Sequence, residues 1–525
     1  MKRKLFLISA FAALLAVPQT LRADEISEGT KTGTYQWTAL TSKTQTAISG
    51  TTLTLGSLTM TLQGENWNKY TYGLVPSAPP RKSGTSTNIT SVAIDTDLTD
   101  YINICKFVTT TGGTLVMTVR ENAQSAKYYF VKVDNNNKVT ELTFSGTAPQ
   151  NTASSNSTYY IKLDANATYL YVPCSSNSTG DGGRSFLAGL TFGPSSDTYR
   201  VWNFLEDADT WKERTATGTY DNLQITSAAT WESALNGNAT NRYTAGTFQF
   251  APTGSLGYLA IQGKYPNSGS ITKAIDSGDA AAITQLRSSS GVVSTELVEA
   301  STSISIALSS ASLFAISWVP LGSDKFWSTY EVEFDTNGYA TYAPAFTVQI
   351  PSGVTAYYFT ALNTSTGTVT AVARSTYIPA HSAVLLKGPA NTKVKFLPYT
   401  QSVSALGATA ASGTVSKMHP AYKSGITSDG NYYAYSKSKG KFVKVKSGTA
   451  IPEGKGYFKI SDGGAAGARE FFDIVLDDSE TTGIHSVNGS RLTVNGSNYY
   501  DLSGRRVENP TRGLYIVNGK KIVIK

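Results

Sequence analysis

The chain predicts an all-β protein: tandem β-sandwich modules, jelly-roll or immunoglobulin-like, closed by a small C-terminal β tail. Three observations carry that prediction. Charged residues make up only 16% of the 525 positions while Tyr (30) and Gly (46) are frequent, which suits half-buried strands and tight turns better than long surface helices. Runs such as "TTLTLGSLTMTL", "GTLVMTVRE" and "YYFVKVD" alternate apolar and polar residues with a period of two, the pattern of a strand with one buried face. No segment sustains a 3.6-residue apolar stripe except "GDAAAITQLRSSS", which reads as one short helix.

Residues 1–23 combine a Lys2-Arg3-Lys4 head, an apolar stretch from Leu5 to Val17 and a small residue at Ala23, the layout of a cleaved signal peptide. Export to the cell surface or medium, with the periplasm as the other destination, is the expectation. The apolar stretch is shorter than a membrane span of about 20 residues, and no other span is expected. A chain of this length exceeds one core, and about 150 residues per domain gives three or four. Module 1 is placed at 24–196, where turns such as "DNNNK" separate the strand runs. Module 2 is placed at 197–327, because "VWNFLEDADTWKERTATGTYDNLQIT" and "SISIALSSASLFAISWVP" echo the ends of the first. Module 3, at 328–477, carries a short internal repeat: "IPAHSAVLLKG" (378–388) and "IPEGKGYFKI" (451–460) share Ile-Pro, a small turn and an apolar strand. Residues 478–525 form the tail.

The formal net charge of +8 argues for a polyanion partner only until it is located. Four basic residues lie in 1–23, and the tail from 481 holds seven basic against two acidic residues, leaving the body from 24 to 480 at −1. A nucleic-acid domain needs a basic face, so no nucleic-acid partner is expected. In the tail, "GLYIVNGKKIVIK" predicts a hairpin of Leu514 to Val517 with Lys520 to Val523 around Asn518-Gly519, packed beside the "NYYDLSGRRV" strand.

Two parts of the chain resemble known families. The third module, with "GYATYAPAFTVQIPSGVTAYYFTAL", resembles a β-rich module near the C-termini of secreted proteins of Bacteroides and Prevotella type bacteria. The tail resembles a short form of the type IX secretion sorting domain of Bacteroidetes. The resemblance rests on Leu502, Gly504, Arg505 and Val507, on Gly513 and Tyr515, and on Lys520, Lys521 and Lys525. It implies secretion machinery as a partner, although the Pro-Asn-Pro-like opening strand of that family is missing. More loosely, the first two modules resemble noncatalytic β-sandwich modules of polysaccharide-degrading and adhesive proteins from the same bacteria.

Chemistry-bearing residues are sparse. Glycosidases need two carboxylates across a cleft. The sequence offers Glu206, Asp207 and Asp209 in a polar loop, and Glu331, Glu333 and Asp335 on one strand face, expected to be the solvated one. There is no G-x-S-x-G, and His381, His419 and His485 sit in turns and a linker, so no catalytic residue is assigned. Asp95, Asp97 and Asp181 are turn-borne oxygen donors that a structural calcium could use, the one cofactor weighed, without an EF-hand pattern. Cys105 and Cys174 are read either as a disulfide or as two separate buried thiols. Aromatics in polar surroundings point to glycan binding, since sugar C–H faces stack on Trp and Tyr. Those residues are Trp67, Tyr70 and Tyr72 in "GENWNKYTYG", with Trp231 and Tyr243 in the second module. The expected function is noncatalytic binding of a glycan or other cell-surface ligand, or adhesion. The alternatives are a polysaccharide-active hydrolase or lyase, and a structural spacer.

Overall fold

The computed structural model describes residues 52–477 except 65–66, 71–72, 121–126, 148–155, 179–184, 197–198, 207, 233–240, 289–290, 375, 401–402, 405–417, 423–425 and 461–468. Outside that range it describes 30–31, 33–36, 46–47, 485–487, 499–501, 506–507, 512–517 and 520–524. The protein is nearly all-β. Its described residues fall into two compact units, one holding those up to Ser328 and the other those from Thr329, with 291–293 belonging to the second.

In the first unit, two seven-stranded sheets make a sandwich. One runs from Thr30–Lys31 through Thr52–Leu55, Leu58–Gln63, Ile104–Thr109, Ala167–Pro173 and Lys127–Val133 to Val139–Thr147. The other is centred on Gly113–Arg120 between Asn156–Leu163 and Phe186–Pro194. Side chains from both, among them Met60, Phe107, Met117, Phe130 and Leu190, interdigitate in one core. The first sheet departs from simple alternation. Lys127–Val133 is buried at five of its seven positions, because Ile89, Val92 and Leu98 of the preceding loop cover its outer face in a second cluster with Val131 and Val172. The two cysteines are divided between these layers. Cys105 lies in the inner cluster and Cys174 in the outer one, so the thiols occupy opposite faces of one sheet and remain free. Burial pushes Cys174 up to about 12 and Cys105 well above its ordinary value. The disulfide reading is thereby corrected.

The same unit carries a second sheet system, ordered Ser270–Ile275, Ile304–Ser309, Arg242–Phe250, Ser312–Pro320, Leu256–Lys264. Leu223–Glu232 adds to Arg242–Phe250, and Arg200–Asn203 to Ser312–Pro320. Asp221 and Asn222, both at positive φ, make the two-residue hairpin turn between Gly218–Tyr220 and Leu223–Glu232. Trp202, Trp211 and Trp318 are core residues, with the indole N–H groups of Trp202 and Trp318 donating to the carbonyls of Asp221 and Thr253 at 3.0 Å. The expected helix in "GDAAAITQLRSSS" is not formed. The stretch contains the short strand Ala281–Ala282 and one 3-10 turn, Thr284–Leu286, whose Leu286 plugs the core. A seven-residue helix stands instead at Asp324–Tyr330. No helix among the described residues is long and apolar enough to cross a membrane.

The second unit contains an internal duplication that the two Ile-Pro segments mark. Its nine-stranded sheet begins Tyr339–Tyr342, Val384–Lys387, Thr355–Asn363, Thr368–Arg374. Read from the other edge it runs His419–Ala421, Lys455–Lys459, Tyr432–Ser436, Lys441–Lys444, and the two halves meet on the shared strand Phe471–Asp477. In each half a two-residue strand ending at the Ile-Pro isoleucine pairs with a partner just after the edge strand: Tyr377–Ile378 with Val348–Gln349, and Ala450–Ile451 with Ile426–Thr427. The shared strand is parallel to Thr368–Arg374 and antiparallel to Lys441–Lys444, as a two-fold relation between the halves requires. Phe359, Tyr433, Phe442, Phe458 and Phe472 pack together beneath it.

The tail hairpin is present. Leu514 pairs with Val523 and Val517 with Lys520, while Tyr499–Tyr500 lies beside it and Arg506–Val507 beyond. Of the sorting-like residues, Val507, Gly513, Tyr515, Lys520 and Lys521 lie on these strands. Leu502, Gly504, Arg505 and Lys525, with Asn518 and Gly519, lie outside the described residues.

Candidate functional site

Of the aromatic residues singled out by the sequence, Trp67 and Tyr243 are committed to the core. Trp67 is 3% exposed, sits in the sandwich core and donates its indole N–H to the Gln63 carbonyl at 3.2 Å. Tyr243 is fully buried, its hydroxyl between the carbonyl oxygens of Trp211 and Arg214 at 2.9 and 2.7 Å. Desolvation raises its pKa. Trp231 is half-buried and packs edge-on against Tyr243, with ring centroids 4.9 Å apart. Tyr70 lies on the strand Trp67–Tyr70. Tyr72 falls outside the described residues, as does Asp181.

A cavity of about 350 Å³ lies instead on the opposite face of the strands that carry Trp231 and Tyr243. Period-two geometry puts it there. Trp231 and Tyr243 face each other across the ladder toward the core, so their neighbours Glu232 and Arg242, also in register, face the other way and form an ion pair. Thr244 continues the Arg242 side. Lys264 lies beside a β-bulge in the facing strand: Phe314 is the extra residue there, and the register beyond it sets Lys264 opposite Ser312. Gly263 is required there, since a Cβ would press on the Ser312 carbonyl and on Ile271 at 2.8 Å. Beyond Lys264, Tyr265 and Pro266 form a wall, pinned where the Tyr265 amide donates to Leu286 and the Ser288 amide donates to the Tyr265 carbonyl, both at 3.1 Å.

The electrostatics of this cavity are uneven. Two cations and one carboxylate line it, and Glu232 is already paired with Arg242. Lys264 has no carboxylate partner among the described residues. Burial, and after it the nearby Arg242, draw its ammonium below the usual value. The volume lies in the lower part of the range for small-ligand clefts, about 300–1,000 Å³. The lining contains one carboxylate, so it does not supply the pair that glycosidic hydrolysis uses.

The other candidates hold structure. Asp209 pairs with Lys212 at 2.9 Å, and Glu331 lies 3.7 Å from Lys395. Asp335 is not on a solvated face. It is 6% exposed and accepts hydrogen bonds from the amides of Asn337 and Tyr339 and from the Tyr435 hydroxyl, which fixes a turn. Asp95 pairs with Lys138, and Asp97 is held below the usual carboxylate range by the Thr99 side chain and then by the Thr99 amide, which donates to it at 2.9 Å. No group of three or more metal-ligating side chains converges among the described residues. His419 lies against Tyr457, and His381 is buried.

Only their neighbours' aromatic rings could have pointed to Glu232 and Arg242 in the sequence: each adjoins an aromatic that was singled out, with the opposite parity. Nothing local marks Lys264, since the residue it faces is set by a bulge in the neighbouring strand.

No protein-family model matches the chain, and the search of curated proteins finds no relative. Among solved structures, the chain is similar to the N-terminal CBM22-1–CBM22-2 tandem domain of Xyn10C from Paenibacillus barcinonensis. That match has 11% identity and a TM-score of 0.15, and covers 56% of this chain and 99% of that one. It is also similar to the tandem CBM51 modules of Sp3GH98, the family 98 glycoside hydrolase of Streptococcus pneumoniae SP3-BS71, with 8% identity, a TM-score of 0.15, and coverage of 50% and 99%. At such scores neither match carries a site across to this chain.

Proposed function

We propose that the chain is a secreted or surface-displayed noncatalytic protein that binds a glycan, through the cavity on the Leu223–Glu232 and Arg242–Phe250 strands. The observation that carries the reading is the lining itself. Charged groups and Ser and Thr hydroxyls converge from four strands and two loops onto one sheet face of a β-sandwich, matching the dense hydroxyls of a saccharide. Recognition by hydrogen bonds takes the place of the ring stacking expected from Trp67 and Tyr243, whose rings are committed to the core. Export rests on the signal-peptide layout of residues 1–23, and delivery to the surface on the sorting-like tail.

The test is a glycan array probed with residues 24–525, next to the Arg242→Ala and Thr244→Val variants. Glycan binding that both variants weaken supports the reading. Wild-type protein that retains no glycan, or variants that bind as wild type, would overturn it. Cell fractionation with mass spectrometry of the mature ends tests the location: a chain starting at Met1 in the cytoplasm would defeat the export reading.

A further inference from the structure

The cavity also constrains the charge of its ligand. Resting on the glycan reading above, we infer that the site takes an acidic saccharide, one whose sugar ring bears a carboxylate or sulfate anchored by Lys264. Three features converge. First, Lys264 and Arg242 line the same cavity, where the Arg242 charge makes that of Lys264 costlier to hold, and the one carboxylate among the described lining residues is engaged by Arg242. An anion entering the cavity relieves that repulsion and gives the Lys264 ammonium the charge-assisted hydrogen bond it lacks. Second, the partner of Lys264 is built in. An extra residue in the facing strand, Phe314, shifts the register so that Ser312 rather than Leu313 lies opposite Lys264, and the close approach beside it, where a Cβ on Gly263 would meet the Ser312 carbonyl and Ile271 at 2.8 Å, leaves no room for a side chain. A lysine needed only for solubility requires no such device. Third, Ser312 lies directly opposite Lys264, and Thr244 lines the same cavity beside Arg242, placing hydroxyl donors around the cation where ring hydroxyls and an acid group can be read together.

The experiment is calorimetry of residues 24–525 against three oligosaccharide probes of equal length: an oligogalacturonide bearing carboxylates, a heparin-derived oligosaccharide bearing sulfates, and a neutral xylo-oligosaccharide. The expected result is binding of at least one acidic probe about tenfold or more tighter than the neutral one, weakening as salt rises. Preference for the first or the second probe identifies the anion. Lys264→Gln should lose about tenfold more affinity for the acidic probe than for the neutral one, Lys264→Arg should retain most of the affinity, and Glu232→Gln should raise it by removing the competing carboxylate. Melting curves confirm that each variant is folded. Equal binding of neutral and acidic probes, or a folded Lys264→Gln that binds the acid as wild type does, overturns this inference while the glycan reading stands. No binding of any probe, with a blank array, overturns both.

Discussion

The two Ile-Pro turns of the second unit occupy equivalent places and solve the same problem differently. Aligned on Ile378 and Ile451, His381 falls on Gly454. Both adopt left-handed backbone, at φ +63° and +71°, and both donate their amide to the end of the corresponding edge strand, to Pro344 at 3.1 Å and Ala421 at 2.7 Å. The topology demands that conformation, since the chain must pass from a two-residue strand into a sheet strand within a few residues. Glycine adopts it freely. His381 carries a strained backbone and also buries an imidazole, 4% exposed and edge-on to Tyr422, whose two nitrogens have no hydrogen-bond partner among the described residues. Burial holds the ring neutral, with its pKa pushed down to about 3. Two positions on, Ala383 aligns with Gly456, and the two come within van der Waals reach, so the turns pack against one another. A shared topology thus fixes the backbone while leaving one half pH-sensitive and the other inert.

The largest effect that would sharpen this contrast is acid sensitivity. The unfolded His381 takes up a proton below about pH 6.5, and the folded ring does so only near pH 3. Stability is therefore complete above 6.5 and falls on acidification through that window, by about 1.4 kcal/mol per unit, or about 3 kcal/mol at pH 4. Denaturant melts of His381→Gly, which copies the other half, should lose that part of the slope between pH 7 and 4. An unchanged slope would show that the imidazole is not held neutral.

Next in size is Gly456→Val, which drives a side chain into the Met418 sulfur and the Ala383 methyl. About 2–3 kcal/mol of destabilisation is expected at pH 7 from overpacking, and a loss under 1 kcal/mol would mean that the turns part easily. The smallest is Gly454→Ala. No atom lies within 4 Å of the added methyl, so only backbone strain acts, worth about 1 kcal/mol. A thermal shift larger than that of Gly456→Val would invert the assignment of strain and packing. In the first unit, where Trp67 is packed as tightly as any of these turns, Trp67→Ala should cost about 3–5 kcal/mol, and Trp67→Phe should leave glycan binding intact in equilibrium measurements.

The strands were legible because period-two alternation is a local property. The tail hairpin could be placed to the residue, Leu514 against Val523, from its Asn-Gly turn and flanking runs. The Ile-Pro repeat pointed to a duplication whose full extent, matching edge strands and hairpins, appears only in the strand order. The candidate site was misread for one physical reason. "GENWNKYTYG" is polar on average, but a strand has two faces, and Trp67 takes the buried one. Trp231 and Tyr243 likewise mark the inner face, and the cavity belongs to their neighbours Glu232 and Arg242. The helix expected in "GDAAAITQLRSSS" failed because Leu286 is drawn into the core by a single 3-10 turn.

The sequence by itself determined the all-β class, the neutral body with its basic tail, and the scarcity of nucleophile and base pairs. Each follows from composition or from neighbouring residues. Only the tertiary structure decided which face of each strand is covered, that Cys105 and Cys174 point into different layers, and that a bulge in the facing strand sets Lys264 opposite Ser312 in the cavity Arg242 also lines. Those outcomes depend on contacts between residues distant in the chain, where alternation fixes parity but not which parity is buried.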